Sequence, residues 1–257
     1  LRTIETLLSG SHLLSDDAPV WVGLLQGQDQ ISFHIETGSA ELCFDDNGQC
    51  VGIGTEGEKF RFAPAESGGC FFSRQAGLGW WTGGYITFDP PGSCSASVRP
   101  TSTSTTIRVP IKGRSYSRGT LRFRESPTSG LLHLVAQLEV EDYVRGIQEL
   151  PDSWPGATLE AQAIASRTLV VREVLANGPV GDFDTSRLDL CACHILDNNA
   201  DQVYGGFTAE EGHPFWQGRV GGTSGQVITW NNEVILAKFT SSTGGRTETN
   251  EAAGGTA

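Results

Sequence analysis

Apolar and polar positions alternate in short stretches through residues 20–110, the period of a half-buried strand. Segments 21–25, 31–35, 40–44, 59–62 and 84–88 each read as a short strand bounded by Gly, Asp, Asn or Pro turn residues. Residues 95–107, rich in Ser and Thr, read as a linker or exposed crossover. Alternation resumes in 119–123 and 131–138, which predict a strand pair. The period then lengthens. Pro155 suits a first helical turn and Asn177-Gly178-Pro179 a stop, which predicts one helix of about 20 residues, ~30 Å long. Ala157, Ala161 and Ala165 give that helix a small face for close approach of a sheet or another helix. Strand signals return at 226–230 and 234–239, joined by Asn231-Asn232 as a two-residue hairpin turn. The pattern is α+β, strand-rich with one long central helix. It divides into a strand-rich N-terminal region, 1–107, and a core region, 108–257.

Composition narrows the class. With 257 residues, 38% of them hydrophobic, the chain can bury one large core or two smaller ones. A formal charge of −12, with no basic arm, argues against nucleic acid as a partner. No apolar run approaches the ~20 residues of a transmembrane segment. The chain opens at Leu1 without a charged-then-apolar leader and reads as a mature soluble or trimmed form. Six cysteines without a methionine hint at an oxidising compartment. Cys43 and Cys50 bracket a turn, and Cys70 and Cys94 could close a second loop; free core thiols are the alternative for either pair.

The candidate chemistry centres on Glu149-Leu-Pro-Asp-Ser-Trp-Pro155. Ile147, Leu150, Pro151 and Trp154 put Glu149 at the rim of an apolar pocket. A carboxyl shielded from water keeps its proton more readily, the condition for a general acid; the bland reading is a solvated helix-end glutamate. Tyr143 and Trp154 can stack on sugar rings or serve as core. Ser241-Ser242-Thr243-Gly244-Gly245 offers hydroxyls and close backbone approach to a glycan, or is an ordinary polar turn. Gln162 and Arg167, polar positions on the long helix, read as braces for the Glu149 loop or as an exposed face. Cys191-Ala-Cys193-His194 is the one metal-like cluster: thiolates and an imidazole suit a structural zinc, although the one-residue gap is short, and free thiols with a surface histidine are the alternative.

Leu138 to Gly146, Glu149 to Pro155 and Leu159 to Thr168, followed in order by Asp189-Leu-Cys191, Gln202-Val-Tyr-Gly-Gly206, Thr223 to Trp230 and Ser241 to Glu248, resemble the SpoIID/LytB family. The resemblance is strong over about 115–250 and weaker at Val20 to Leu25. It implies a SpoIID-like fold and an exported bacterial cell-envelope protein, with peptidoglycan glycan strands as partner. Such a protein is either a lytic transglycosylase, for which no cofactor is required, or a non-catalytic glycan-binding module or enhancer of a cell-wall amidase. Glu149 stands where transglycosylase members carry their catalytic glutamate. In that mechanism it protonates the glycosidic oxygen between N-acetylmuramic acid and N-acetylglucosamine, and the muramoyl C6 hydroxyl closes a 1,6-anhydro ring. The family commonly has a second cysteine just before Gln-Val-Tyr; this chain departs from it there, with Asp201 in that place after a longer intervening loop. A secreted carbohydrate-binding domain with no enzyme connection is the third class.

Overall fold

The computed structural model describes residues 2–3, 19–45, 50–65, 69–76, 79–81 and 94–239. The strand expected at 84–88 and the Ser241–Gly245 loop lie outside the described residues. In chain order the strands are β1 (Arg2–Thr3), β2 (Val20–Gln28), β3 (Ile31–Thr37), β4 (Ser39–Phe44), β5 (Cys50–Thr55), β6 (Lys59–Pro64), β7 (Cys70–Ala76), β8 (Gly79–Trp81) and β9 (Ser95–Pro100). They continue as β10 (Thr106–Val109), β11 (Arg114–Tyr116), β12 (Thr120–Glu125), β13 (Leu132–Leu138), β14 (Ile195–Leu196), β15 (Gln226–Val227), β16 (Thr229–Trp230) and β17 (Glu233–Val234). The helices are α1 (Val140–Arg145), α2 (Gly156–Asn177), α3 (Thr185–Leu190), α4 (Phe207–Gly212) and α5 (Pro214–Gly222). The fold is α+β.

Two sheets carry the core. One has the order β11-β10-β3-β6-β7-β8 and the other β14-β2-β13-β12-β9-β4-β5, so each joins strands from both sides of residue 107. Ile31, Phe33 and Ile35 on β3 alternate with Ser32 and His34, and Leu121 and Phe123 on β12 with Arg122 and Arg124; the apolar set of each strand turns inward. Phenylalanines from the two sheets interlock: the Phe62 and Phe123 rings are 4.8 Å apart, Phe44 and Phe72 5.4 Å, and Phe33 and Phe123 5.6 Å. The expected linker at 95–107 is instead β9, a loop and the start of β10. Ala96 and Val98 are buried in the core, while Ser97 on the alternate face takes a hydrogen bond from Arg99. Serines on a strand's polar face carry no turn signal, which is why composition misread them.

Cys43 and Cys50 are joined across β4 and β5. Cys70 and Cys94 are buried free thiols, and the Cys70 thiol, then burial, pushes the Cys94 thiol up. The hairpin at Asn231-Asn232 forms between β16 and β17, both asparagines at positive φ. Helix α2 ends as expected at Gly178, whose N–H donates to the Val174 carbonyl at 3.0 Å. Its packed face differs from the small one expected. Leu159, Ala163, Val170, Val171 and Val174 are buried, whereas Ala157 and Ala161 face solvent, because a branched apolar stripe gains more from burial than three methyls. No helix among the described residues is long and apolar enough to cross a membrane.

A buried carboxylate links the sandwich to the helical layer. Asp197, just after β14, has a side chain only 1% exposed and receives Lys112 at 2.7 Å and Arg114 at 2.9 Å from the end of the six-stranded sheet. It also accepts the Tyr204 N–H at 2.8 Å, and Arg114 donates to the Tyr204 carbonyl at 2.6 Å. Residues 197–204 are thereby pinned to the sandwich edge. Asp197→Asn leaves two cations without their counter-charge and is expected to cost about 3–5 kcal/mol of stability, read as a lower urea midpoint at unchanged m-value.

Candidate functional site

Glu149 sits at the end of a short paired segment. The Gln148 N–H donates to the Val203 carbonyl at 3.0 Å, the Gly205 N–H donates to the Gly146 carbonyl at 2.7 Å, and Ile147 bridges Tyr204. The Val203 N–H then donates to Glu149 Oε1 at 2.6 Å, so main chain fixes the carboxyl. Two glycines make this fit possible. A Cβ on Gly146 would lie 2.4 Å from the Tyr204 ring, and one on Gly206, at φ 61°, would lie 2.6 Å from the Tyr116 ring. The following loop is tied down by Asp152, whose carboxylate accepts the N–H groups of Trp216 at 2.6 Å and Phe215 at 3.1 Å at the start of α5. Trp216 in turn donates from its indole to the Val144 carbonyl at 3.1 Å.

These contacts frame a cleft of about 360 Å³ lined by Glu149, Leu150, Trp154, Thr158, Gln162, Asn199, Asp201 and Phe239. Trp154 and Phe239 are 42% and 36% exposed, aromatic surface left open beside a carboxyl. Gln162 donates to Ser166 one turn along α2 at 3.1 Å, so it lines the cleft rather than bracing the Glu149 loop as expected. Asn199, Asp201, Thr158 and Phe239 were not expected as cleft residues, Asp201 having been noted only where the resembled family carries a cysteine; they come from three separate segments, and no local spacing joins them. A second cleft of about 400 Å³, beside α3, is lined by Asp182, Asp184 and Arg187 among others, contains none of the expected residues, and has a single aromatic, the buried Phe183.

Three expectations are corrected. Tyr143 is fully buried, stacked on Tyr204 at 5.4 Å with its hydroxyl donating to Gln202 at 2.7 Å, and cannot meet a sugar. Burial pushes that hydroxyl well above its ordinary range, and the charges of Asp201 and Asp197, then Tyr204 and Glu149, add to the effect. Arg167 is buried too, but its task is larger than bracing one loop: it pairs with Glu141 at 2.7 and 2.9 Å and donates to the carbonyls of Val220 and Gln226, clamping α1, α2, α5 and β15 together. Cys191, Cys193 and His194 are no zinc site. The two sulfurs are bonded to each other, so neither is a thiolate ligand. Both nitrogens of the buried His194 are occupied: Nδ1 accepts the Trp21 N–H at 3.0 Å, which leaves Nε2–H to donate to the Gly178 carbonyl at 3.0 Å.

Residues 128–230, which hold Glu149, its Val203 contact and Asp197, match the family model described as Stage II sporulation protein, SpoIID. Over this stretch, two fifths of its length, the chain is similar to the SpoIID family. It is 32% identical over 145 residues to Stage II sporulation protein D of Bacillus amyloliquefaciens, covering 50% of this chain and 40% of that protein. It is 29% identical over 161 residues to Stage II sporulation protein D of Bacillus subtilis (strain 168), covering 56% and 45%. It is also 29% identical over 160 residues to the Amidase enhancer of the same organism, covering 60% of this chain and 19% of that protein. The chain thus spans less than half the length of these curated relatives. No solved structure matches it.

Two outcomes test this account of the site. Gly146→Ala drives a methyl into the Tyr204 ring and is expected to lower stability by about 1–3 kcal/mol, seen as a lower melting temperature. His194 has its pKa lowered from 6.5, by burial first and Arg187 next, against the Gly178 hydrogen bond. Below that ordinary value the unfolded chain binds the proton more readily than the folded one, so this contribution to stability is present above about pH 6.5 and lost as pH falls towards the lowered folded value. Urea midpoints at descending pH check this: His194→Gln should lessen the decline between neutral pH and the acid side.

Proposed function

We propose that this chain is a peptidoglycan lytic transglycosylase acting in the bacterial cell envelope after export, with Glu149 as its acid. The carrying observation is the Glu149 carboxyl, held by the Val203 N–H at 2.6 Å in a cleft with open faces of Trp154 and Phe239. Stacking on an aromatic face suits the apolar side of a sugar ring, and Gln162, Asn199 and Thr158 supply neutral donors and acceptors for hydroxyl and acetamido groups. In the reaction Glu149 gives its proton to the oxygen linking N-acetylmuramic acid to N-acetylglucosamine. The C1–O bond breaks, and the muramoyl C6 hydroxyl, rather than water, bonds to C1 to form the 1,6-anhydro ring.

A second reading, in which the cleft binds glycan and the chain raises the activity of a cell-wall amidase, is favoured by the likeness to the Amidase enhancer. Mass spectrometry of soluble products from intact and peptide-stripped glycan strands separates the two. Anhydro-muramoyl products from the wild-type protein, absent with Glu149→Gln, are expected, with Trp154→Ala raising KM more than it lowers kcat. Binding without products from either substrate would move the assignment to the amidase enhancer. With a charge of −12, recognition by neutral hydrogen bonds and stacking also predicts that glycan affinity does not fall as salt is raised about tenfold.

A further inference from the structure

The cleft holds a second carboxylate. Asp201 lines it together with Glu149 and stands two residues before Val203, whose N–H holds Glu149. Its Oδ2 accepts the Leu196 N–H at 2.8 Å, which orients the group; among the described residues no hydrogen bond reaches Oδ1. The 196–204 segment that carries it is pinned by the buried Asp197 network, so Asp201 is a fixed charge at the cleft wall.

What a second carboxylate can do follows from the stereochemistry of the reaction. The bond broken is a β-glycoside, and the anhydro bridge also leaves its oxygen on the β face of C1. Leaving oxygen and attacking hydroxyl thus approach from the same side, and one group, Glu149, can serve both by giving up its proton and then taking one. The opposite side of C1 faces the 2-acetamido group, whose carbonyl oxygen can bond to C1 as the leaving oxygen departs. Positive charge then spreads over the acetamido nitrogen, and a carboxylate accepting its N–H stabilises that charge through a charge-assisted hydrogen bond.

Resting on the transglycosylase reading, we propose that Asp201 is the partner of the 2-acetamido group of the muramoyl residue, accepting its N–H and stabilising the cationic ring that forms between that group and C1. The sequence balances. The Glu149 proton goes to the leaving oxygen as the acetamido oxygen bonds to C1. The C6 oxygen then displaces the acetamido oxygen, restoring the amide, and the C6 hydroxyl proton passes to the Glu149 carboxylate. Asp201 neither gains nor loses a proton. Glu149 therefore starts and ends the cycle protonated.

The test pairs turnover with binding of a thiazoline derivative of N-acetylmuramic acid, a neutral stand-in for the cationic ring that is cationic when protonated. Asp201→Asn is expected to lower kcat by about 10²–10³ with KM little changed, and to lose affinity for the thiazoline by a similar factor while keeping its affinity for intact glycan. Glu149→Gln should abolish turnover yet retain thiazoline binding. Wild-type kcat and thiazoline affinity in Asp201→Asn would overturn the role of Asp201 and leave the transglycosylase reading standing. Absence of anhydro product from the wild-type protein would overturn both. Equal loss of glycan and thiazoline affinity in Asp201→Asn would mark Asp201 as structural and overturn its role alone.

Discussion

A carboxylate removed from water must be met by charge, and Asp197 is met by two cations and a main-chain N–H. Without those partners its burial would cost several kcal/mol. With them it becomes the joint between two unlike bodies: a sandwich held by interlocked phenylalanines, and a helical layer organised around α2. Lys112 and Arg114 come from the sandwich edge, while Asp197 and Tyr204 belong to the chain that backs Glu149. The position of the candidate acid is thus set by an ion cluster outside the cleft.

The same economy runs through the rest of the site. Glu149 is oriented by a peptide N–H rather than by a partner side chain, so its orientation depends on the 146–149 and 203–205 segments staying paired. That pairing needs Gly146 flat against the Tyr204 ring, and Tyr204 in turn stacks between Tyr116 and Tyr143. On the far side, Arg167 satisfies Glu141 and carbonyls from two other segments, which lets a guanidinium lie buried in a helix interface. Aromatic stack and arginine clamp leave the cleft itself lightly constrained, with Trp154 and Phe239 open to solvent.

Sequence and structure part company where a residue's neighbours are distant along the chain. Glu149 and Trp154 could be read together because they stand five positions apart, and both line the cleft. Tyr143 looked equally suited to a sugar, yet α1 turns it inward onto Gln202, 59 positions away. Cys191 and Cys193 carry ligand chemistry in one dimension and close on each other in three. Asp201 gave no local sign of a place beside Glu149, since the two meet only where the 146–149 and 203–205 segments pair and the cleft forms.

The sequence by itself determined the strand alternation, the extent of α2, the Asn231-Asn232 hairpin, the SpoIID/LytB resemblance and the candidacy of Glu149, because each rests on local periodicity, turn chemistry or an ordered set of motifs. Only the tertiary structure decided how β9 threads between β4 and β12, which face of α2 is buried, that His194 is saturated by Trp21 and Gly178, and that Asp201 and Phe239 share a cleft with Glu149. Those outcomes depend on which groups find partners once water is excluded, and the partners lie tens to more than a hundred residues away.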